Sequence, residues 1–396
     1  MFASRTDWSL TPNRLSVVIA ERRAKGLPFI DLTQSNPTHC GFSVNTRGVL
    51  AALANSSSLA YEPDPHGPLY ARRAVAGYYA ERDIQVDPEQ IFLTTSTSEA
   101  YSYVFRLLAN PGDNVLVPRP SYPLFDFLAR LNDLELLSYP LIYDQGWQMD
   151  VQALPLRLNT RTKAVLVVHP NNPTGSFVRR DEAAALAALA RDRGLALIVD
   201  EVFGDYARDP AGLPEGRLPS FVEQPTALTF VLSGLSKITA MPQVKLGWIV
   251  TTGPDDLARE ALARLEVVAD TYLSVSTPVQ LALPAILAER GPIQARILAR
   301  TRRNLAALDA TIEALGPEAP VRRLPVDGGW YATIEVPRTR DEDAWVELLL
   351  REDGVVVHPG YFFDFEEEGY LVVSLLPEEA AFGAAIERVA RRVAAA

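Results

Sequence analysis

Between Ile91 and Asp200 the chain repeats one pattern, a short apolar run without polar alternation followed by a longer amphipathic stretch. Ile91-Phe-Leu-Thr-Thr95 leads into a helical Ser98 to Ala109, and Asn114-Val-Leu-Val-Pro118 into Tyr122 to Leu131. Ala164-Val-Leu-Val-Val-His169 leads into Arg180 to Arg193, before Leu195-Ala-Leu-Ile-Val-Asp200. A strand buried on both faces has no reason to alternate, and a helix between successive strands implies a parallel crossover. The pattern therefore predicts an α/β domain with a mostly parallel sheet flanked by helices. Thr226 to Leu232 supplies one more β-branched and aromatic run.

From about Pro254 the pattern changes. Asp255 to Thr271 and Gln280 to Leu315, broken near Gly291-Pro292, read as long helices. Strands are expected at Trp330 to Val336, Val355 to His358 and Tyr370 to Ser374, interleaved with helices at Asp341 to Glu352 and Pro377 to Ala395. That is a smaller α+β domain. With 396 residues the chain exceeds the size at which one core stops growing, so two domains are expected. We divide it into a large domain, 51–285, a small domain, 286–396, and an N-terminal segment, 1–50. The segment holds a helix at Arg14 to Lys25 and a short strand at Phe29 to Leu32, and is expected to pack on the small domain or across a subunit boundary.

A net charge of −11 argues against nucleic-acid or anionic-membrane partners, which reward clustered Lys and Arg. An anionic ligand must then be bound locally. The single cysteine, Cys40, excludes a disulfide-stapled fold. The first residues lack an apolar signal region and no run is long enough to span a membrane, so a cytoplasmic protein is expected. No metal site is expected.

Ligands of open parallel sheets bind beyond the carboxyl ends of the strands, and four polar motifs stand at such ends: Thr94-Thr-Ser-Thr-Ser98, Asn171-Asn-Pro-Thr-Gly175, Asp200, and Ser236-Lys237. Each has two readings. Ser and Thr before a helix cap it, or offer open N–H groups to a phosphate. Asn-Asn-Pro-Thr-Gly suits a turn or presents an amide. Asp200 caps a helix or serves as a functional carboxylate. Lys237 is a surface lysine, or an amine held at a strand end that can form an imine with an aldehyde.

Taken jointly, in this order and spacing, the motifs resemble the class I/II aminotransferase family of fold-type I pyridoxal-phosphate enzymes over nearly the whole chain. The resemblance runs through Tyr61 with Gly67, Ser96-Thr-Ser98, Pro120-Ser-Tyr122-Pro, Asn171-Asn-Pro-Thr-Gly175, Asp200-Glu201, Gly234-Leu-Ser-Lys237, Leu246-Gly-Trp248 and His358-Pro-Gly360. It implies pyridoxal 5'-phosphate as cofactor, with Lys237 as the Schiff-base lysine and proton carrier and Asp200 as partner of the ring nitrogen. It further implies Asn172 on the phenolic oxygen, Tyr122 against the ring, Thr97 and Ser98 on the phosphate, and Ser96 and Ser236 as further cofactor-binding residues. Tyr61 would reach the phosphate from the other subunit, which makes a homodimer the functional unit.

Three positions depart from the family pattern. Phe203 stands where a tyrosine usually donates to the phenolic oxygen, leaving Asn172 alone there. Lys245 replaces the phosphate-facing arginine, keeping the charge but losing the planar fork. Val372 replaces the arginine that clamps the substrate carboxylate, so either another cation binds it or the substrate lacks it. Arg119 and Lys245 are the candidate replacements, Asn36 is a further substrate-side candidate, and His358 and Tyr361 read as packing or entrance residues. The expected activity is transamination between an amino donor and a keto acid acceptor. A lyase or decarboxylase working from the same cofactor-bound substrate is the alternative. An effector-binding module of a transcription regulator would need a DNA-binding extension, for which the acidic chain leaves no room before Asp31.

Overall fold

The unalternated runs lie side by side in the middle of one sheet. The computed structural model describes residues 1–209, 212–273 and 275–395. Its large sheet contains β1 (Ile91–Thr94), β2 (Asn114–Arg119), β3 (Glu135–Tyr143), β4 (Trp147–Met149), β5 (Thr162–Val168), β6 (Ala196–Asp200), β7 (Thr229–Gly234) and β8 (Gly247–Thr252). Their spatial order is β1-β8-β7-β6-β5-β2-β3-β4. The central strands β7, β6, β5, β2 and β3 are parallel. β8 runs antiparallel to β7 and β1, and β4 antiparallel to β3. The reversal at β8 has a local cause: the link from β7 carries only the one-turn helix Leu235–Ile238, which cannot carry the chain back across the sheet as a parallel crossover requires.

Both faces of the central strands are apolar, as the runs require. Val165, Val167, Leu197, Val199 and Val231 enter one core, and Ala164, Leu166, Ile198, Phe230 and Leu232 the other. At roughly 1.5–3 kcal/mol for each large side chain fully removed from water, this burial fixes the strands and with them the positions of their carboxyl ends. β3 and β4 were not visible as runs. β3 mixes exposed and half-buried residues and contains Pro140, because it lies one strand from the edge and is not covered on both sides.

The smaller sheet is antiparallel, with β9 (Arg322–Arg323), β10 (Tyr331–Glu335), β11 (His358–Pro359) and β12 (Tyr370–Ser374) in the order β9-β10-β12-β11. Val355 to His358 does not form the single strand that its apolar run predicts. Val355–Val356 pairs in parallel with Ile30–Asp31, and His358–Pro359 pairs with β12. The run changes partner at Val357, and Pro359, with no N–H to donate, keeps the second piece at an edge. The long helical stretch is two helices, Thr277–Ala288 and Arg290–Glu313. Pro292 sits in the first turn of the second, where its missing N–H costs nothing.

The N-terminal helix, Arg14–Ala24, is capped by Asn13, whose side chain accepts from the Ser16 amide. Leu15, Ile30 and Leu32 join the small-domain core, and Val18 and Phe29 pack with Leu350 and Val356. Further upstream, Trp8 lies 5.4 Å from Phe127. No helix among the described residues is long and apolar enough to cross a membrane.

Candidate active site

The carboxyl ends of β5, β6 and β7 and the start of the helix Thr97–Leu108 open on one cavity of about 270 Å³. Ser96, Thr97, Ser98, Tyr122, Asn172, Asp200, Phe203, Ser236, Lys237 and Lys245 all line it. The four motifs thus converge because the sheet topology puts their strand ends on one edge.

At the helix start both readings of the Ser/Thr motif hold, for different atoms. The Ser96 hydroxyl accepts from the Glu99 amide at 3.2 Å, and the Glu99 carboxylate accepts from the Thr95 amide at 2.6 Å. The amides of Thr97 and Ser98 follow, at the positive end of a 12-residue helix. Glycines bring this segment against β8. A Cβ on Gly247 would lie 3.1 Å from the Ser96 carbonyl carbon and 3.1 Å from Thr94 Oγ1; one on Gly234 would lie 2.8 Å from Gly247 Cα. No larger residue keeps that approach.

Asp200 ends β6 and is buried. Its Oδ1 accepts from the Val202 amide at 3.0 Å and its Oδ2 from the Tyr101 hydroxyl at 2.9 Å. Burial raises its pKa, against the pull of these donors and of Lys237. Burial in turn lowers the pKa of the Lys237 amine, and Asp200 opposes this. The amine faces two aromatic rings, with Nζ 5.6 Å from the Phe203 centroid and 5.2 Å from that of Trp330. The Tyr206 hydroxyl donates to the Lys237 carbonyl at 2.7 Å, which fixes the backbone of its one-turn helix.

The Asn-Asn-Pro-Thr-Gly turn divides its labour. Asn171 holds the loop: its Nδ2 donates to the Pro120 carbonyl at 3.2 Å and its Oδ1 accepts from the Thr174 hydroxyl at 2.9 Å. Gly175, at φ +68°, lies where a Cβ would meet the Gly328 carbonyl oxygen at 2.3 Å. Asn172 instead lines the cavity with its buried Oδ1 unpartnered. Phe203 packs edge-on against Trp330, centroids 5.2 Å apart. The Tyr122 phenol is pushed up to about 12, by burial first and then by Asp200.

Three residues lie elsewhere. Tyr61 is 70% exposed and does not line its own chain's cavity. Asn36 caps a short turn, its Oδ1 accepting from the amide and hydroxyl of Thr38. Arg119 opens on a separate hollow of about 250 Å³ that it shares with Asp364. His358 stacks on Phe362, and Tyr361 donates its hydroxyl to Asp343 at 2.8 Å. Sequence reasoning missed Ser35 and Tyr331, which also line the cavity, and Tyr101, Tyr206 and Trp330, which support it. A helical i, i+4 spacing from Thr97 marks Tyr101; nothing local marks the others.

Glu201 follows Asp200 and points to the opposite side of the strand end. It accepts from the Ser220 hydroxyl at 2.8 Å and the Phe221 amide at 2.7 Å. Burial pushes its carboxyl from an ordinary 4.5 up to about 7. An acid whose folded pKa exceeds its unfolded one holds the proton more tightly when folded. Its contribution to stability is complete below the unfolded value and is lost as pH rises through the folded one. Glu201→Gln keeps the acceptor and removes the titration. We expect the fall in calorimetric Tm from about pH 5 to about pH 8 to be smaller in this variant, by an amount corresponding to a few kcal/mol at about 1.4 kcal/mol per pKa unit. An unchanged pH slope would show that Glu201 does not carry it.

A mixed sheet, parallel in its centre, with a lysine after one strand and a carboxylate at the end of the next, is the architecture of the fold-type I pyridoxal-phosphate enzymes. Within that class the chain belongs to the aminotransferase class I and II family, whose model matches residues 28–388, and it is a transaminase. It is 29% identical over 379 residues to an alanine aminotransferase of Mycobacterium tuberculosis, covering 93% of this chain and 86% of that protein. Among solved structures, an alanine aminotransferase from Pyrococcus furiosus superposes with a TM-score of 0.87 at 21% identity, covering 99% of each chain. A mutant of Thermus thermophilus aspartate aminotransferase gives a TM-score of 0.83 at 25% identity, again over 99% of each chain.

Proposed function

We propose that the protein is a pyridoxal-phosphate-dependent aminotransferase that works through a Lys237 Schiff base on an amino acid or amine, with a keto acid as acceptor. The observation that carries this reading is that a buried amine, a buried carboxylate and an open helix start line a single cavity. The donor set fits the cofactor. Asp200 is a buried carboxylate suited to a cationic ring nitrogen, Asn172 lines the cavity with an amide whose Nδ2 can donate to a phenolic oxygen, and the segment from Thr97 to Ser98, with Ser236 and Lys245, is a cradle for a phosphate. When bound, pyridoxal phosphate supplies an aldehyde that condenses with amines and a ring that takes up the electron pair left at the substrate carbon.

The chain's residues then have separate tasks. Asp200, held by Tyr101 and the Val202 amide, keeps a proton on the ring nitrogen, because a cation beside a buried carboxylate favours its charged form. Lys237 Nζ, its basicity lowered by burial, takes the proton from the amine-bearing carbon and returns it one atom along. Tyr122 would lie against the ring, and with Phe203 offering no hydroxyl Asn172 would be the donor to the phenolic oxygen. The exposure of Tyr61 supports a homodimer in which this residue serves the other subunit's site.

The test is a half-reaction. The purified protein with pyridoxal phosphate is mixed with a panel of amino acids and amines, without keto acid. We expect stoichiometric pyridoxamine phosphate. Carbon dioxide or ammonia released over many turnovers would establish the lyase or decarboxylase alternative, and a colourless protein that ignores the added cofactor would overturn the reading.

A further inference from the structure

We propose that Ser35 and Tyr331 recognise the amino donor through neutral hydrogen bonds, and that the preferred donor is a primary amine bearing a hydroxyl or similar uncharged group, with no carboxylate on the amine-bearing carbon, while the keto acid acceptor meets the same wall with the lower affinity of an unpaired carboxylate. This rests on the cofactor reading above and concerns the wall of the same cavity.

Among the described residues that line the cavity the only cations are Lys237 and Lys245. On the cofactor reading Lys237 is the reacting amine and Lys245 serves the phosphate. No guanidinium lines it. The small-domain wall consists of hydroxyls over hydrocarbon. Tyr331 and Ser35 both line this cavity. On β12, Val372 pairs with Thr333 and His358. Thr333 and Tyr331 are two residues apart on β10, so Val372 and Tyr331 share one face of the small sheet. Val372 is completely buried there among Trp147, Leu324, Phe363 and Phe365, with the Tyr331 ring packed against the cluster.

Neither nearby arginine lines the cavity. Arg208 donates Nη2 to the Gly329 and Tyr331 carbonyls at 3.1 and 3.2 Å, and its Nε and Nη1 are buried without partners outside the cavity lining. Arg119 faces Asp364 across its own hollow. A carboxylate placed at this wall would be desolvated with no paired cation, in a cavity that already holds Asp200, and that is costly. A hydroxyl there meets two partners that can each donate or accept.

The experiment uses the holoenzyme, whose visible absorbance first establishes that the cofactor is bound. L-alanine, L-alaninol and isopropylamine share a carbon skeleton and differ in carrying a carboxylate, a hydroxymethyl or a methyl group. We expect kcat/KM to favour alaninol over alanine by at least about tenfold, the factor that corresponds to 1.4 kcal/mol. Binding is read independently of turnover by quenching of tryptophan fluorescence, for which Trp330 adjoins the wall. The amine-free analogue propane-1,2-diol should bind more tightly than lactate, with no dependence on salt. Tyr331→Phe should raise KM for alaninol by about three- to tenfold, as loss of one hydrogen bond predicts, and narrow its advantage over isopropylamine. Retained cofactor absorbance shows that the variant is folded, and Ser35→Ala gives a second removal of the pair. A preference for alanine, or salt-sensitive binding of lactate tighter than that of the diol, would overturn the proposal and place a cation at this wall in the assembled enzyme. Absence of the cofactor band is the separate failure of the underlying reading.

Discussion

Lys237→Ala is expected to lower turnover by about 10³-fold or more while leaving the protein folded. General acid–base catalysis alone contributes about 10²–10⁴-fold, and this variant also loses the covalent hold on the cofactor. The fold should tolerate the change. The amine is buried and makes no ion pair closer than the longer-range pull of Asp200, so its removal relieves a desolvation cost rather than orphaning a partner. The Tyr206 bond goes to the Lys237 backbone carbonyl and survives the substitution. Borohydride reduction followed by denaturation and mass measurement is the direct check. The wild-type chain should retain the mass of the cofactor, and the variant should not. A variant that keeps the adduct, or turns over within about tenfold of wild type, would mean that another residue bears the reacting amine.

Asp200→Asn should be the next most damaging change, lowering kcat by about 10²–10³-fold, in the range reported for losing one preorganised electrostatic contact. The substitution is nearly isosteric. The Asn carbonyl can still accept from the Val202 amide, and its amide can donate to the Tyr101 oxygen, so both local bonds persist with one direction reversed. Only the negative charge is lost, and with it the preference for a proton on the ring nitrogen. The variant should therefore still bind the cofactor, as read from its absorbance, while kcat falls far more than KM rises. If kcat stayed within about fivefold of wild type, well under one such contact, Asp200 would not be the partner of the ring nitrogen.

How much of this was legible in the sequence depended on where each residue lies relative to a strand end. Lys237, Asp200, Asn172 and the Thr97-Ser98 pair were readable because an unalternated run shows where a buried strand stops, and the residue after it has nowhere to go but the carboxyl edge. Asn171 and Gly175 satisfy the turn reading of the same motif in which Asn172 satisfies the other, a division that no single-residue prior expresses. The strands at Glu135 and Trp147 escaped because strands near the sheet edge carry neither clean pattern. Val355 to His358 reads as one strand and is two, because pairing partners are chosen by neighbours and not by the run itself.

Residues acting from a distance were hidden altogether. Ser35 and Tyr331 are some three hundred residues apart in the chain, and Trp330 meets Lys237 across the two sheets. Arg119 is the last residue of β2 and stands three residues before Tyr122, so it looks like a neighbour of the cavity, yet it opens on the hollow beside Asp364. The sequence alone determined the central parallel strands, their carboxyl edge and the residues that the chain carries directly to that edge, because burial on two faces leaves a local periodic mark. Only the tertiary structure decided which wall faces that edge, that Val372 lies buried beneath Tyr331, and that two hydroxyls stand at the wall. Those facts follow from how separate segments pack against each other, and packing between distant segments leaves no local mark.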